Sequence, residues 1–324
     1  MKNSLLQVRG LSVSFDTGPD TIRAVRDVSF DIHRGEVLGL VGESGSGKTV
    51  TALSLLGLID PQRSHVAGSA RLRGQELLNA PPWDLRSLRG RRIGLIPQDA
   101  PSALNPVLTV GTQLALALRA HRNAAPEELA DTAVAALARV GIDDPTDRLR
   151  QYPHELSGGM QQRVAVALGL LHQPDLLIAD EATSALDLST QARVVHEVLE
   201  GVRNAGTALL WISHDLDLLS QVADRCLVLY AGQVVESGTT GRLLAEPRHP
   251  YTRALLDASP SRTQPGERLL PIPGQPPHPT QIPRGCAFAP RCSHATDRCA
   301  EPVSEHRLTD GMVRCVHPLG GPSR

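Results

Sequence analysis

No stretch of this 324-residue chain approaches the 18 consecutive apolar residues that mark a membrane-spanning helix. Nor is the opening Met1-Lys2-Asn3-Ser4-Leu5 followed by a secretory apolar core with a cleavage site. The expectation is a chain that stays in the cytoplasm and meets a membrane only through partner subunits. Charge of one sign is missing too. Lys and Arg number 33 against 34 Asp and Glu, a net charge of -1, which leaves no polybasic surface for nucleic acid. Hydrophobic residues at 41% argue against disorder. Cysteine is scarce, five in all, and none of them forms a short C-x-x-C pair.

What is present is a long α/β pattern. Leu11 to Phe15 and Val25 to Ile32 read as short alternating strands, and Val37-Leu38-Gly39-Leu40-Val41 as a strand buried on both faces. A helical pattern runs from Val50 to Leu58. Between Thr109 and Val140 the chain is rich in alanine and leucine, with Pro126-Glu127-Glu128 as a helix start, so a helical insertion is expected over about 100–165. Apolar runs at Leu176–Ala179, Ala208–Ile212 and Cys226–Tyr230 alternate with helical stretches such as Gln191–Val202, the signature of a doubly wound parallel sheet. After Pro260 the composition changes: the last 65 residues hold 12 of the 25 prolines and four of the five cysteines. The boundary is placed there, giving domains 1–260 and 261–324. A tail of that composition is not mainly helical and has too little apolar periodicity for its own core, so something else must hold it.

Gly42-Glu43-Ser44-Gly45-Ser46-Gly47-Lys48-Thr49 fits the pattern GxxxxGK[ST], in which glycines let backbone N–H groups converge on phosphate oxygens at a helix N-terminus. Lys48 is expected to bridge the β- and γ-phosphates, and Thr49 to bind Mg²⁺. Asp180 and Glu181 close the run Leu176–Ala179, which delivers two carboxylates to the carboxyl edge of a sheet, where such folds bind ligands. Asp180 is expected to hold Mg²⁺ through water and Glu181 to orient and deprotonate the attacking water. Ser213-His214-Asp215 likewise brings an imidazole to a strand end, and Cys226 inside a strand reads as a small buried hydrophobe.

The run Leu156-Ser157-Gly158-Gly159-Met160-Gln161-Gln162-Arg163 lies between the phosphate loop and the acidic pair, and in that order the three motifs resemble ATP-binding cassette (ABC) proteins. The tail segments His249-Pro250-Tyr251-Thr252-Arg253, Pro271-Ile272-Pro273-Gly274-Gln275-Pro276-Pro277 and Gly285-Cys286-Ala287-Phe288-Ala289-Pro290-Arg291-Cys292 resemble the ATP-binding subunits of oligopeptide, dipeptide and nickel importers, the first of their two unlike ATPases. The resemblance runs from about Leu6 to His317. It implies a phosphate-loop ABC ATPase core with an antiparallel β-subdomain, a helical subdomain and a small cysteine-containing extension. It makes His214 the γ-phosphate contact and Gln98 the glutamine that touches Mg²⁺ and the attacking water. Phe15 stands where relatives stack an aromatic ring on adenine, with a core phenylalanine as the other reading. Ala182 departs from the family, in which proline commonly follows the glutamate.

The resemblance also implies that Ser157, Gly158, Gly159 and Gln161 open a helix that faces the γ-phosphate held by a partner subunit, and that Asp187 senses the opposite site. One phosphate loop and one such segment per chain then call for a homologous second ATPase, expected to be a different chain. Two membrane permeases and an extracytoplasmic substrate-binding protein complete the implied importer, with this chain on the cytoplasmic face of the membrane and no nucleic acid involved. A soluble cassette ATPase without permeases and an exporter ATPase are the competing readings. Paired cassettes or long coiled-coil insertions, which would favour the former, are missing.

Cys286, Cys292, Cys299 and Cys315 have the spacing C-x5-C-x6-C-x15-C. Four thiolates can complete a tetrahedral metal site or ligate one [4Fe–4S] cluster, and a cytoplasmic location disfavours two disulfides. The resemblance points to iron–sulfur first, with Zn²⁺ as the alternative. His294 and His317 are either substitute ligands or surface residues.

Overall fold

In the computed structural model the described residues are 4–18, 20–183, 188–259 and 271–320. Among the described residues twelve strands are formed: β1 (Ser4–Asp16), β2 (Thr21–His33), β3 (Val37–Val41), β4 (Ser64–Leu72), β5 (Gln75–Glu76), β6 (Ile93–Ile96), β7 (Leu176–Asp180), β8 (Ala208–Ser213), β9 (Arg225–Tyr230), β10 (Gln233–Thr239), β11 (His306–Leu308) and β12 (Gly311–Val313). The chain divides into two compact units: one built on Ala80–Leu210 with Met1–Leu5 and His33–Glu36, the other on Leu6–Ile32, Val37–Asn79 and Trp211–Arg324.

The second unit carries an antiparallel sheet in the order β2-β1-β4-β5. β1 and β2 are longer than the alternation suggested, and in β1 the polar residues Gln7 and Arg9 pair along the ladder with β4. Its other sheet runs β11-β12-β10-β9-β3, with β3 parallel to β9 and the remaining pairs antiparallel. All five residues of β3 are buried, as the continuous apolar run requires of a strand covered on both faces. Gly39 permits that cover. A Cβ there would lie 2.8 Å from Cys226 Sγ and 3.0 Å from Leu219, so the helix Leu216–Val222 could not pack where it does. Cys226 itself is fully buried, and burial raises its thiol pKa to about 11.

The tail is held by this unit. β12 pairs with β10, so the hairpin β11–β12 extends the second unit's sheet beyond residue 260. Three of the chain's eight aromatic residues then close a cluster: Tyr230 and Tyr251 have ring centroids 4.5 Å apart, and Phe288 from the tail lies 5.3 Å from each. The tail contributes a side chain to an existing core rather than building one.

Beneath that cluster the Glu236 carboxylate on β10 is entirely buried, and it accepts from Arg242 Nη1 at 2.6 Å, the Arg248 N–H at 2.9 Å and the His249 N–H at 2.8 Å. The first unit is mainly helical, with Ala100–Ala103, Val110–Arg119, Pro126–Arg139, Pro145–Arg148, Gly158–Leu170 and Leu188–Ala205. Thr109 caps the second of these, and Pro126 starts the third at its first turn, the helix start expected from the sequence. β6 and β7 are parallel neighbours, and Gly94 of β6 lets the Gly169 carbonyl approach where any Cβ would collide with it.

Glu236→Gln is expected to destabilise the protein by about 3 kcal/mol, since an amide NH₂ would face backbone donors and Arg242 would keep only Asp310 of its two carboxylate partners. Chemical denaturation of the two proteins measures it; equal midpoints would remove Glu236 as the anchor of this region.

Candidate functional site

Strand β3 ends at Val41 and the chain turns through Gly42–Gly47 into the helix Lys48–Leu55. Gly47 occupies the cap position with φ at 102°, in the left-handed region, and a Cβ there would strike the Ala24 carbonyl. Gly42 is as tightly placed, against the Leu229 carbonyl. The loop is closed by Ser46 N–H to Glu43 O at 3.2 Å and by Gly232 N–H to Ser46 O at 2.9 Å. Ser44, Gly45 and Thr49 are exposed, whereas Ser46 and Lys48 are buried. Lys48 Nζ donates to the carbonyls of Gly42 at 2.8 Å and Glu43 at 3.1 Å, so the ammonium folds back over the loop it would serve. Phe15 is half-buried on β1, which leaves part of its ring uncovered. His214 stands exposed just past β8, where Asp215 caps the next helix by accepting from the Asp217 and Leu218 N–H groups.

In the other unit, Asp180 is buried at the end of β7 and Glu181 follows at φ 45°. A glutamate in the left-handed region carries backbone strain of the kind found at functional sites. Gln98, exposed beyond β6, donates from Nε2 to Glu181 Oε2 at 3.1 Å, so these two expected site residues do meet. Ala182 is buried, and no special conformation follows from its replacing proline.

Ser157 caps the helix Gly158–Leu170, its hydroxyl accepting from Met160 N–H at 3.3 Å. Ser157 and Gly158 are exposed, and a Cβ on Gly158 would meet nothing within 4 Å. Gln161 behaves differently from its neighbours. Its amide turns back to the carbonyls of Pro153 at 2.9 Å and Leu156 at 3.1 Å, bracing the turn ahead of the helix. Asp187 lies outside the described residues.

All four tail cysteines line one small cavity, together with His249, His294 and His317. Among the described residues no group of three or more His, Cys, Asp or Glu side chains is set to hold a metal ion. Burial raises the thiol pKa values of Cys286, Cys292 and Cys315, the last to about 12. The His294 N–H donates to Cys292 Sγ at 3.4 Å and the His317 N–H to Cys315 Sγ at 3.3 Å. The His317 ring is engaged by Thr296 at 2.8 Å.

His249 was not singled out by sequence reasoning, although it opens the quoted His-Pro-Tyr-Thr-Arg segment. It is fully buried, and burial lowers its pKa to about 3, so the ring is neutral. Nδ1 accepts from the Tyr251 N–H at 3.0 Å, which puts the ring proton on Nε2, and Nε2 has no hydrogen-bond partner.

Arg291 was also missed. Buried at 8% exposure, it forms a two-pronged ion pair with Glu43 of the phosphate loop, Nη1 to Oε2 at 2.6 Å and Nη2 to Oε1 at 3.0 Å. Burial by itself would lower its pKa, but the bonds to Glu43 and Tyr230 raise it and keep it charged. A contact between residues so far apart in sequence leaves no local pattern to read.

Comparison with known proteins gives a consistent set. The sequence matches the ABC transporter family over residues 25–184 and the oligopeptide/dipeptide transporter C-terminal region over residues 235–299. It is 42% identical to the oligopeptide transport ATP-binding protein OppD of Escherichia coli K12, covering 98% of this chain and 94% of that one. It is 43% identical to the dipeptide transport ATP-binding protein DppD of the same organism, covering 99% of each. A putative peptide import ATP-binding protein of Brucella abortus is 46% identical over 96% of this chain and 94% of its own length. Among solved structures, the dimeric cassette MJ0796 in a post-hydrolysis state with ADP and Pi superposes with a TM-score of 0.65 at 26% identity, covering 72% of this chain and 98% of that one.

Gly47→Ala is expected to cost roughly 2 kcal/mol or more, from the collision with Ala24 and the positive φ together. A denaturant midpoint indistinguishable from the parent protein would show that the loop can open by another route.

Proposed function

Since this chain belongs to the ABC transporter family and is an ATPase of it, we propose that it spends ATP to drive the import of peptides or related small solutes through a membrane permease. The observation that carries the solute class is the match of residues 235–299 to the oligopeptide/dipeptide transporter C-terminal region. Near full-length identity of 42–43% with an oligopeptide and a dipeptide transport ATP-binding protein supports it.

In the proposed reaction the N–H groups of Gly42–Thr49 cradle the phosphates of ATP, and Lys48 moves from the Gly42 and Glu43 carbonyls onto the β- and γ-oxygens. The exposed Thr49 hydroxyl and the Asp180 carboxylate are suited to Mg²⁺, an ion that takes oxygen ligands. When bound, that ion neutralises charge developing on the phosphate oxygens. Glu181 accepts the proton of the attacking water, and Gln98, already bonded to it, orients that water. His214 steadies the γ-phosphate, and the half-buried Phe15 offers a ring to adenine.

Ser157, Gly158 and Gly159 present the N-terminus of a 13-residue helix to solvent, and we assign them, with Asp187, to the nucleotide of a second, homologous ATPase. Gln161 supports that surface by fixing the turn at Pro153–Leu156. Among the described residues no helix is long and apolar enough to cross a membrane, so the membrane step belongs to the permeases. Exposed Val107 and Leu116 in the helical unit suit contact with them. The chain then acts at the cytoplasmic face, and an external binding protein supplies the solute.

A second reading concerns the tail: the four cysteines hold a metal centre. It is supported by their sharing one cavity, by backbone N–H groups aimed at two of the sulfurs, and by the buried, unpartnered Nε2–H of His249 on the same cavity. A donor so placed suits a thiolate or sulfide acceptor. A single Zn²⁺ draws its four sulfurs to about 2.3 Å from the metal. A [4Fe–4S] cluster likewise takes four cysteine thiolates, and it is the first reading for this tail, with Zn²⁺ second. Such a centre would supply a crosslink for a tail that has little core of its own.

Lys48→Ala is expected to abolish ATP binding, read by titration with a fluorescent nucleotide, and Glu181→Gln to bind ATP normally while turnover falls at least about 100-fold. Full turnover in Glu181→Gln would move the base to another residue. Purification of Glu181→Gln from its own membranes with ATP should bring down a second ATPase and permease subunits; soluble companions alone would replace the importer by a free cassette ATPase. Cys292→Ser should lose iron and acid-labile sulfide relative to the parent protein, and equal content in both would end the ligand assignment.

A further inference from the structure

Glu43 is held at three points. Its carboxylate is forked by Arg291, its N–H donates to Tyr251 Oη at 2.9 Å, and its carbonyl accepts from Lys48 Nζ at 3.1 Å. The first two anchors come from beyond the strand and helix that flank the loop, and Arg291 comes from the tail. Arg291 is itself fixed: Nε donates to the Pro273 carbonyl at 2.7 Å, Nη1 to Tyr230 Oη at 3.2 Å, and the guanidinium lies 5.8–5.9 Å from the Phe288 and Tyr230 ring centroids.

Two consequences follow from the chemistry of the pair. A bidentate guanidinium–carboxylate contact fixes orientation as well as distance, so the Glu43 backbone is set for the loop before any anion arrives. The contact also cancels a negative charge that the loop carries inside its own anion site, where an uncompensated carboxylate would repel a polyphosphate. A loop that binds triphosphate gains nothing from Glu43 unless that charge is answered, and Arg291 answers it.

Arg291 is also one residue from Cys292, inside the 3-10 turn Ala289–Arg291. That turn is closed by Ala289 N–H to Cys286 O at 3.0 Å and Cys292 N–H to Ala289 O at 3.2 Å. Whatever sets the spacing of Cys286 and Cys292 therefore sets the position of the guanidinium.

We propose that Arg291 is a positioning residue for ATP binding, and that through it the conformation of the four-cysteine tail governs the affinity of the phosphate loop for nucleotide. The inference rests on the phosphate-loop reading above, and extends it to the tail.

The test is a charge cycle in the full-length protein: Arg291→Gln, Glu43→Gln and the double variant, with ATP affinity and turnover measured separately. Arg291→Gln is expected to weaken ATP about tenfold with kcat at saturating ATP within about twofold of the parent, because the defect lies in the loop and not at the attacking water. Removing the orphaned carboxylate as well should restore most of the affinity, to within about threefold. Cys292→Ser should weaken ATP in the same direction, and should weaken it no further when Arg291→Gln is already present. Glu305→Gln, which breaks only a surface ion pair of the tail, serves as the control expected to bind ATP like the parent. Affinity unchanged in Arg291→Gln overturns the proposal while Lys48→Ala still reports on the phosphate loop. Losses from Arg291→Gln and Glu43→Gln that simply multiply overturn it as well, since they would mark two independent structural defects.

Discussion

A loop that turns several backbone N–H groups toward one point has to keep its shape when no anion is there to satisfy them. That constraint organises the second unit. β3 supplies a rigid, fully buried entry, the helix Lys48–Leu55 supplies the exit, and Lys48 lies against the loop's own carbonyls. Gly42 and Gly47 allow the close approach of the Leu229 and Ala24 carbonyls, so the loop is braced by neighbouring backbone on two sides. Glu43 then takes its anchors from Tyr251 and Arg291. Each brace costs the loop freedom it would otherwise lose on binding, which is the physical meaning of preorganisation.

The same constraint explains the tail. A segment with 12 of the 25 prolines cannot contribute regular ladders along its length, and among the described residues after 270 the regular structure is 3-10 turns and the two short strands β11 and β12. Its order comes from what it is attached to. β12 borrows hydrogen bonds from β10, Phe288 enters the Tyr230–Tyr251 cluster, and Arg248 exchanges bonds with Leu319 at 2.8 Å and 3.1 Å. Glu236 fixes the Arg248–His249 backbone from below, and His249 in turn borders the cysteine cavity. Buried hydrogen bonds therefore link the sheet to His249 in the wall of the cysteine cavity, and they hold its backbone in place.

Local pattern made the core legible. The apolar runs at Val37–Val41, Leu176–Ala179 and Ala208–Ile212 are strands, Pro126 does begin a helix, and the phosphate loop does join a buried strand to a helix. Such features are written in neighbouring residues. Family likeness put Gln98 beside the same attacking water as Glu181, but the bond between them was not foreseen, since the two lie 83 positions apart. Arg291, His249 and the β11–β12 hairpin were not anticipated. A three-residue strand has no alternation to detect, a buried histidine looks like any other histidine in a sequence, and an arginine between proline and cysteine gives no sign of a carboxylate 248 positions away. Gln161 was expected to reach outward with the rest of its segment, but its amide satisfies the carbonyls of the preceding turn, a local need that outranks exposure.

The exposure of Ser157 and Gly158 bears on why the chain should act in company. A helix N-terminus carries unsatisfied N–H groups, and Ser157 caps only one of them, at Met160. Gly158 adds no side chain to cover the rest and has open space around it. Water can serve these donors in the single chain, but a polyphosphate brought by another ATPase would serve them better, because the helix dipole adds to the hydrogen bonds. Hydrolysis would shorten that polyphosphate and withdraw the charge from the second chain's helix first. In the proposed pairing, the contact that closes the pair would be the one that the reaction removes, so ATP turnover would become a cycle of association and release.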